Sequence, residues 1–183
     1  MEAFEKSDFF VRGESAVLNI PQNIRVIEEG ALCGLKEVEE VIVNEDVEEI
    51  GAWAFYGCTA LSDINLPSGI KKIGENAFFD TAFYNDEKNW QDGVLYLGNS
   101  LIKAQEFVKE TYFVKDGTKI ISQGAFKDCT LLERVLIPDS VEEIGAEVFV
   151  GCENLKAIYG GVNTAAEKYA GENGIKFIAV EYN

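Results

Sequence analysis

The apolar positions of this chain repeat at a long, fixed interval. The segments "VEEIGAWAFYGC", from Val47 to Cys58, and "VEEIGAEVFVGC", from Val141 to Cys152, agree at nine of twelve positions. With the Phe of each taken as an anchor, equivalent positions fall at Leu32, Phe55, Phe78, Phe126 and Phe149. Three of the four steps between these anchors are equal, and the long step from Phe78 to Phe126 is two units plus two extra positions. Both spellings therefore lie on one lattice. Eight and five before the anchor stand Ile24/Ile27, Val47/Ile50, Ile70/Ile73, Thr118/Ile121 and Val141/Ile144. Six, nine and eleven after it stand Val38/Val41/Val43, Leu61/Ile64/Leu66 and Leu132/Val135/Ile137. A period of this size marks a stacked-repeat architecture, in which each unit buries its apolar face only against its neighbours.

The pattern within one unit predicts the elements. "LSDINL" (61–66) alternates so that one face is apolar, as a half-buried strand requires. Parallel ladder strands are expected near Glu40–Val43, Asp63–Leu66, Thr111–Val114 and Arg134–Ile137, with the anchor phenylalanines in one internal row. Pro21, Pro67 and Pro138 fall in one column and end the strands. The column two after the anchor holds Gly34, Gly57, Asp80, Asp128 and Gly151, residues that tolerate left-handed backbone, so a tight bend is expected there. "GVLYLGNSLIKA" (93–104) is two apolar alternating segments around Gly98-Asn99, a hairpin signal. "YNDEKNWQDG" (84–93) before it reads as a polar loop, and the stretch from Phe79 to Lys115 as an interruption that leaves the lattice. Thr164 followed by Glu167 reads as a capping box opening a helix, Asn173-Gly174 stops it, and Ile175–Val180 reads as a strand.

These motifs resemble leucine-rich repeats of the BspA type. "LSDINLPSGIKKIGENAF" and "LERVLIPDSVEEIGAEVFVGC" carry the aliphatic strand, the Pro, the Ile-Gly pair and the Ala-Phe followed by Gly-Cys. The resemblance spans about residues 15–178. It implies a leucine-rich-repeat solenoid (an α/β-type repeat, mainly β) with a parallel strand ladder on one side and short turns on the other. It also implies mostly bacterial, often surface-exposed relatives associated with adhesion to proteins, and it lends no catalytic residues. The expected organisation is a single repeat domain over 1–183. It comprises an N-terminal cap (1–15), repeats (16–78), a hairpin-bearing insertion with a degenerate coil (79–115), repeats (116–160) and a helix-strand C-terminal cap (161–183).

Charge and composition narrow the function. The formal net charge of −16 repels nucleic-acid phosphates and anionic lipid, so no nucleic-acid partner is expected. No apolar run approaches the length of a bilayer-spanning helix, so no membrane insertion is expected, and no signal peptide is visible at the start. The family resemblance nevertheless points to a bacterial cell surface or a secreted location. Histidine is absent, which removes every imidazole base and His metal ligand. Cys58, Cys129 and Cys152 share a column three after the anchor, without any CxxC, and read as buried, reduced thiols rather than zinc ligands or a disulfide. "NDEKNWQDG" lacks the Asp spacing of a calcium loop. Glu48/Glu49, Asp86/Glu87 and Glu142/Glu143 are adjacent carboxylates on outer turns. A glycosidase instead needs two carboxyls facing each other across a cleft.

What remains is surface. Outward ladder positions are Glu40/Ile42, Asp63/Asn65, Arg134/Leu136 and Ala157/Tyr159, of which Ile42, Leu136 and Tyr159 are apolar where solvent is expected. Trp90 and Tyr96, on the interruption, are large amphipathic side chains suited to anchoring a partner. The sequence therefore reads as a non-catalytic protein-binding scaffold without a cofactor, its contacts drawn from Glu40, Ile42, Asp63, Asn65, Trp90, Tyr96, Arg134, Leu136 and Tyr159. Two alternatives stand beside it: a carboxylate-dependent glycan hydrolase, and a structural spacer within a larger surface protein.

Overall fold

The computed structural model describes residues 16–180. The N-terminal cap expected over 1–15 and the last three residues lie outside the described residues. The chain divides into two compact units at Trp90/Gln91.

The first unit contains β1 (Ala16–Asn19), β2 (Val26–Ile27), β3 (Val38–Ile42), β4 (Glu49–Ile50), β5 (Asp63–Asn65), β6 (Lys72–Ile73) and the short helix α1 (Ala82–Asn85). Odd and even strands form separate parallel ladders, β1-β3-β5 and β2-β4-β6. Each ladder advances one coil per sequence repeat, with Glu40 beside Asp63 and Glu49 beside Lys72. The turn between them is itself hydrogen-bonded to the next coil. Trp53, Phe55 and Gly57 donate their N–H groups to the carbonyls of Glu75, Ala77 and Phe79 at 2.8–3.0 Å.

The repeating columns follow from this spacing. A Cβ at Gly51 would lie 2.5 Å from the Glu29 backbone nitrogen, and one at Gly74 would lie 2.3 Å from that of Ala52. Only glycine fits between two backbones held this close. Two other columns have left-handed backbone. The bend expected two after the anchor is present, with φ of 69° at Gly57 and 59° at Asp80. A second bend lies two before the anchor, where Gly30, Trp53 and Asn76 have φ of 63°, 54° and 56°. The Phe55 and Phe78 rings stack 5.5 Å apart and 5° from parallel, both fully buried.

The stretch 84–93 is more ordered than a polar loop. Thr81, wholly buried, donates its hydroxyl to the Phe78 carbonyl and accepts from the Tyr84 N–H, capping α1. Asp86 then accepts from the Lys88 N–H and starts a 3-10 turn at Glu87–Asn89. Both caps come from residue types that suit turns equally well, which is why the sequence reads as a loop.

β7 (Trp90–Gln91) straddles the division between the units. The second unit then holds β8 (Val94–Leu97), β9 (Ser100–Ala104), β10 (Thr111–Phe113), β11 (Ile120–Ile121), β12 (Arg134–Leu136), β13 (Glu143–Ile144), β14 (Ala157–Gly160), the helix α2 (Ala165–Glu172) and β15 (Phe177–Ala179). β10, β12, β14 and β15 form a parallel ladder. β8 and β9 form the expected antiparallel hairpin, with Gly98 at φ 58° in its turn.

The hairpin does not leave the lattice. β9 pairs parallel with β11, and β11 with β13, so the returning hairpin strand takes the place of a short coil strand. Its step to β11 is shorter than the regular repeat by three positions, because Ile120 faces Ser100 on one side and Glu143 on the other. This substitution relaxes the tightest contact. The column that demands glycine at Gly51, Gly74 and Gly145 holds Ser122 in the coil after the hairpin.

The core of the second unit runs from Val94 and Leu101 through Phe126 and Phe149 to Tyr169. Phe126 and Phe149 stack at 5.4 Å, and the Tyr112 and Tyr169 rings contact them at 5.6 and 5.9 Å. Helix α2 closes the last layer. Ala166, Tyr169 and Ala170 are buried, and the Tyr169 hydroxyl accepts the Val148 N–H at 3.0 Å. Thr164 caps the helix as expected, accepting from the Glu167 N–H, while the Glu167 carboxylate accepts from the N–H of Asn163 rather than of Thr164. β15 pairs parallel with β14.

The cysteine column has a structural task. Cys58 and Cys152 donate their Sγ–H to the carbonyl of the preceding anchor, Leu32 at 3.2 Å and Phe126 at 2.9 Å, and Cys129 to that of Gln105 at 3.5 Å. All three are buried thiols outside any disulfide, and Cys33, two positions earlier in its unit, is half-buried. Burial raises the thiol pKa of Cys129 to about 12 and of Cys152 to about 11. Folding therefore holds these protons more tightly than the unfolded chain does. The stability contributed is complete below about pH 9 and is lost as pH rises towards those values. Urea unfolding midpoints should be flat from about pH 7 to 8.5 and fall above pH ~9, and Cys152→Ala should lessen the fall. Thiol-specific reagent should titrate four cysteines in the denatured chain and far fewer in the native one. Phe126→Ala should lower stability by about 3–5 kcal/mol, read from the urea midpoint at unchanged slope, because it removes one ring of a continuous stack.

Candidate functional site

Outward positions of the two ladders differ in chemistry. In the first unit the rows are Val17–Glu40–Asp63 and Asn19–Ile42–Asn65. Asn19, Asp63 and Asn65 are exposed, Val17 and Glu40 are half-buried and Ile42 is 38% exposed, so this face is mostly polar, with two apolar residues in six. In the second unit Thr111, Arg134 and Ala157 share one row, although Ala157, expected to face solvent, is buried at 2% exposure, and Phe113, Leu136, Tyr159 and Ile178 share the next. This second row is apolar across four strands. Phe113 is 64% exposed, and Leu136, Tyr159 and Ile178 are half-buried. Arg134 borders it, bonded to Thr111 at 3.5 Å and paired with Glu133 at 3.5 Å.

The structure thus aligns Leu136, Tyr159 and Arg134 on one face. Phe113 joins them without having been singled out by the sequence pattern, although it stands thirteen before its anchor Phe126, as Leu136 does before Phe149. Ile178 carries no such signal, since no anchor follows it.

Tyr96 and Trp90 are each tied to their surroundings. The Tyr96 hydroxyl lies 3.0 Å from that of Tyr112 and accepts the Lys115 N–H at 3.3 Å. The Lys115 ammonium sits 4.3 Å over the Tyr96 ring and also reaches the Gln91 amide oxygen. Burial pushes both phenols above their ordinary range. The Trp90 indole donates to the Tyr84 carbonyl at 2.7 Å and sets its ring edge-on to Tyr84 at 5.1 Å.

That contact belongs to a longer series. Tyr56 stacks on Phe79 at 5.8 Å and 10° from parallel, and Phe79 meets Tyr84 at 5.0 Å. Tyr56 and Phe79 each directly follow their anchor, on the turns, and are 40% and 41% exposed. Trp53, in the same turn as Tyr56, is 41% exposed. Four rings of the first unit are therefore in series on its turn side.

Several carboxylates form ion pairs across coils. Glu48 lies between Arg25 (3.7 Å) and Lys71 (2.9 Å), and Glu49 pairs with Lys72 at 3.7 Å. The Lys71 hydrogen bond and charge hold Glu48 below the usual carboxylate range, and a hydrogen bond from Lys156 does the same for Glu133. A general acid needs the opposite shift. A cavity of about 520 Å³ lies between β13 and α2, lined by Glu142, Glu143, Glu167 and Glu172 among others. Glu142 is paired there with Lys119 and Glu167 caps α2. No helix among the described residues is long and apolar enough to cross a membrane.

The family profile described as the BspA type leucine rich repeat region matches residues 5–109 and 102–170, with six copies. No curated protein matches the chain. Among solved structures, a leucine-rich repeat protein of T. pallidum is 25% identical, with 80% of this chain and 59% of that one covered and a TM-score of 0.43. A leucine rich cell surface protein of Faecalibacterium prausnitzii is 26% identical, with 78% and 47% covered and a TM-score of 0.40. A leucine-rich repeat protein of Bacteroides ovatus is 14% identical, with 90% and 43% covered and a TM-score of 0.37. The chain thus spans about half to three-fifths of the first two. With its regular anchor lattice, its strand ladders and a profile match over most of its length, the chain belongs to the BspA-type leucine-rich-repeat family.

Proposed function

We propose that the chain is a non-catalytic scaffold that binds another protein, displayed at a bacterial cell surface or secreted. The observation that carries the reading is the apolar row Phe113–Leu136–Tyr159–Ile178 on the outward face of the second ladder. A strand row facing solvent needs no apolar side chains for folding, and four in register form a contiguous strip of the kind that marks an interaction site. Arg134, in the neighbouring row, supplies a directional polar contact at its rim. The polar ladder face of the first unit, at Glu40, Ile42, Asp63 and Asn65, adds a second contact region. No cofactor enters this reading, and of the carboxylates open to the glycan-hydrolase alternative, Glu48, Glu49 and Glu142 are held in ion pairs and Asp86 and Glu167 in caps.

The test is comparative capture from host and bacterial extracts. Immobilised wild type should retain a defined protein that Phe113→Ser/Tyr159→Ser does not, with the melting temperature of the variant within a few degrees. Equal capture by both proteins would remove the second ladder face as the contact. Trp90→Ala should lower the melting temperature while leaving that capture intact, because the indole packs and hydrogen-bonds within the first unit.

A further inference from the structure

The ladder faces do not account for the rings exposed on the turn side of the first unit. Trp53, Tyr56 and Phe79 are each about two-fifths exposed, and the Tyr56–Phe79–Tyr84–Trp90 series links the last two exposed rings to a buttress. Equivalent turn positions elsewhere show that aromatic residues are not needed there. The column of Tyr56 and Phe79 holds Cys33, Lys127 and Val150 in other coils. The column of Trp53 holds Gly30, Asn76, Gly124 and Glu147.

Trp53 is the most telling of these. Its φ of 54° is left-handed, a conformation that disfavours a bulky side chain and that Gly30 and Gly124 adopt without penalty. A large ring kept in a strained turn and left partly in water is a feature that folding alone does not explain.

Charge selects the occupant. Residues 16–90 carry 14 Asp and Glu against 5 Lys and Arg. Within 75–90, the segment that bears Phe79, Tyr84 and Trp90, Glu75, Asp80, Asp86 and Glu87 stand against Lys88 alone. Aromatic faces set in an acidic field attract a planar cation, which stacks on the ring and pairs with carboxylates at once. We propose that the turn side of the first unit, at Trp53, Tyr56 and Phe79, docks an arginine-bearing protein segment. This shares with the scaffold reading the premise that the chain binds protein. It uses none of the residues of the Phe113 row, so either can fail without the other.

The experiment measures fluorescence anisotropy of a labelled Arg-Gly repeat peptide, its citrulline-Gly twin and a neutral soluble glucan against the full chain. The substitutions reuse residues found in the same columns. Tyr56→Val and Phe79→Val follow Val150, and Trp53→Asn follows Asn76, so each variant should melt cooperatively. The arginine peptide should bind, weaken with added salt, and exceed the citrulline peptide. Each substitution should weaken it by about two- to five-fold, although none changes the net charge. Affinity unchanged in all three variants would reduce the binding to general attraction by an acidic protein and overturn the proposal. Absence of arginine-peptide binding, or equal binding of the citrulline peptide, would also overturn it. So would a glucan that binds through the same rings in its place.

Discussion

Backbone hydrogen bonds between neighbouring coils set the spacing on which the other columns depend. Two strand ladders and the turn between them all bond to the next coil, so the spacing of about 4.8 Å applies around the coil. At that distance Gly51 and Gly74 can carry no side chain. The same spacing places Phe78 flat on Phe55, and Phe149 on Phe126, at nearly one ring separation. It sets Glu48 within reach of both Arg25 and Lys71. It also lets Cys58 and Cys152 reach back to the carbonyl of the preceding anchor, which explains why a small donor is used there.

The constraint slackens at one place in the second unit. A hairpin strand replaces the regular coil beneath β11, and the close approach that required glycine gives way to Ser122. Order is restored within a coil by other means. Tyr112 brings a ring to Phe126, and its hydroxyl meets that of Tyr96 on the hairpin. The hairpin is therefore joined to the ladder by backbone bonds below and by a phenol pair beside it. Its Tyr96, which by size and chemistry suits a partner, is instead engaged by Lys115.

The sequence makes legible whatever repeats with its chemistry intact. The anchor row, the proline column and the bend at Gly57, Asp80 and Asp128 are spelled by residues whose physics is unambiguous. The second bend is hidden because Trp53 and Glu147 occupy left-handed positions that their side chains do not advertise. Gly98-Asn99 announces the hairpin, but nothing local tells that β9 pairs parallel with β11, since that bond joins Ser100 to the distant Ile120. Helix α1 is concealed by its length: one turn leaves no periodicity to read. Half of the apolar row is within reach, because Leu136 and Tyr159 stand at lattice positions. Phe113 requires carrying the same count through the irregular coil.

The equal step between coils also bears on how such a gene can change. Each regular coil meets its neighbours through the same contacts, so an in-frame duplication or loss of one coil's worth of codons recreates a junction already present, such as that between Ile50 and Ile73. A codon inserted between a coil's strand and its glycine does the reverse within that coil, because it moves that glycine out of step with the backbone that demands it. Drift in coil number is thus tolerated where drift in coil length is disruptive. Among the described coils whose short strand pairs with a preceding one, the shortened step at the hairpin is the one junction where this column carries serine rather than glycine.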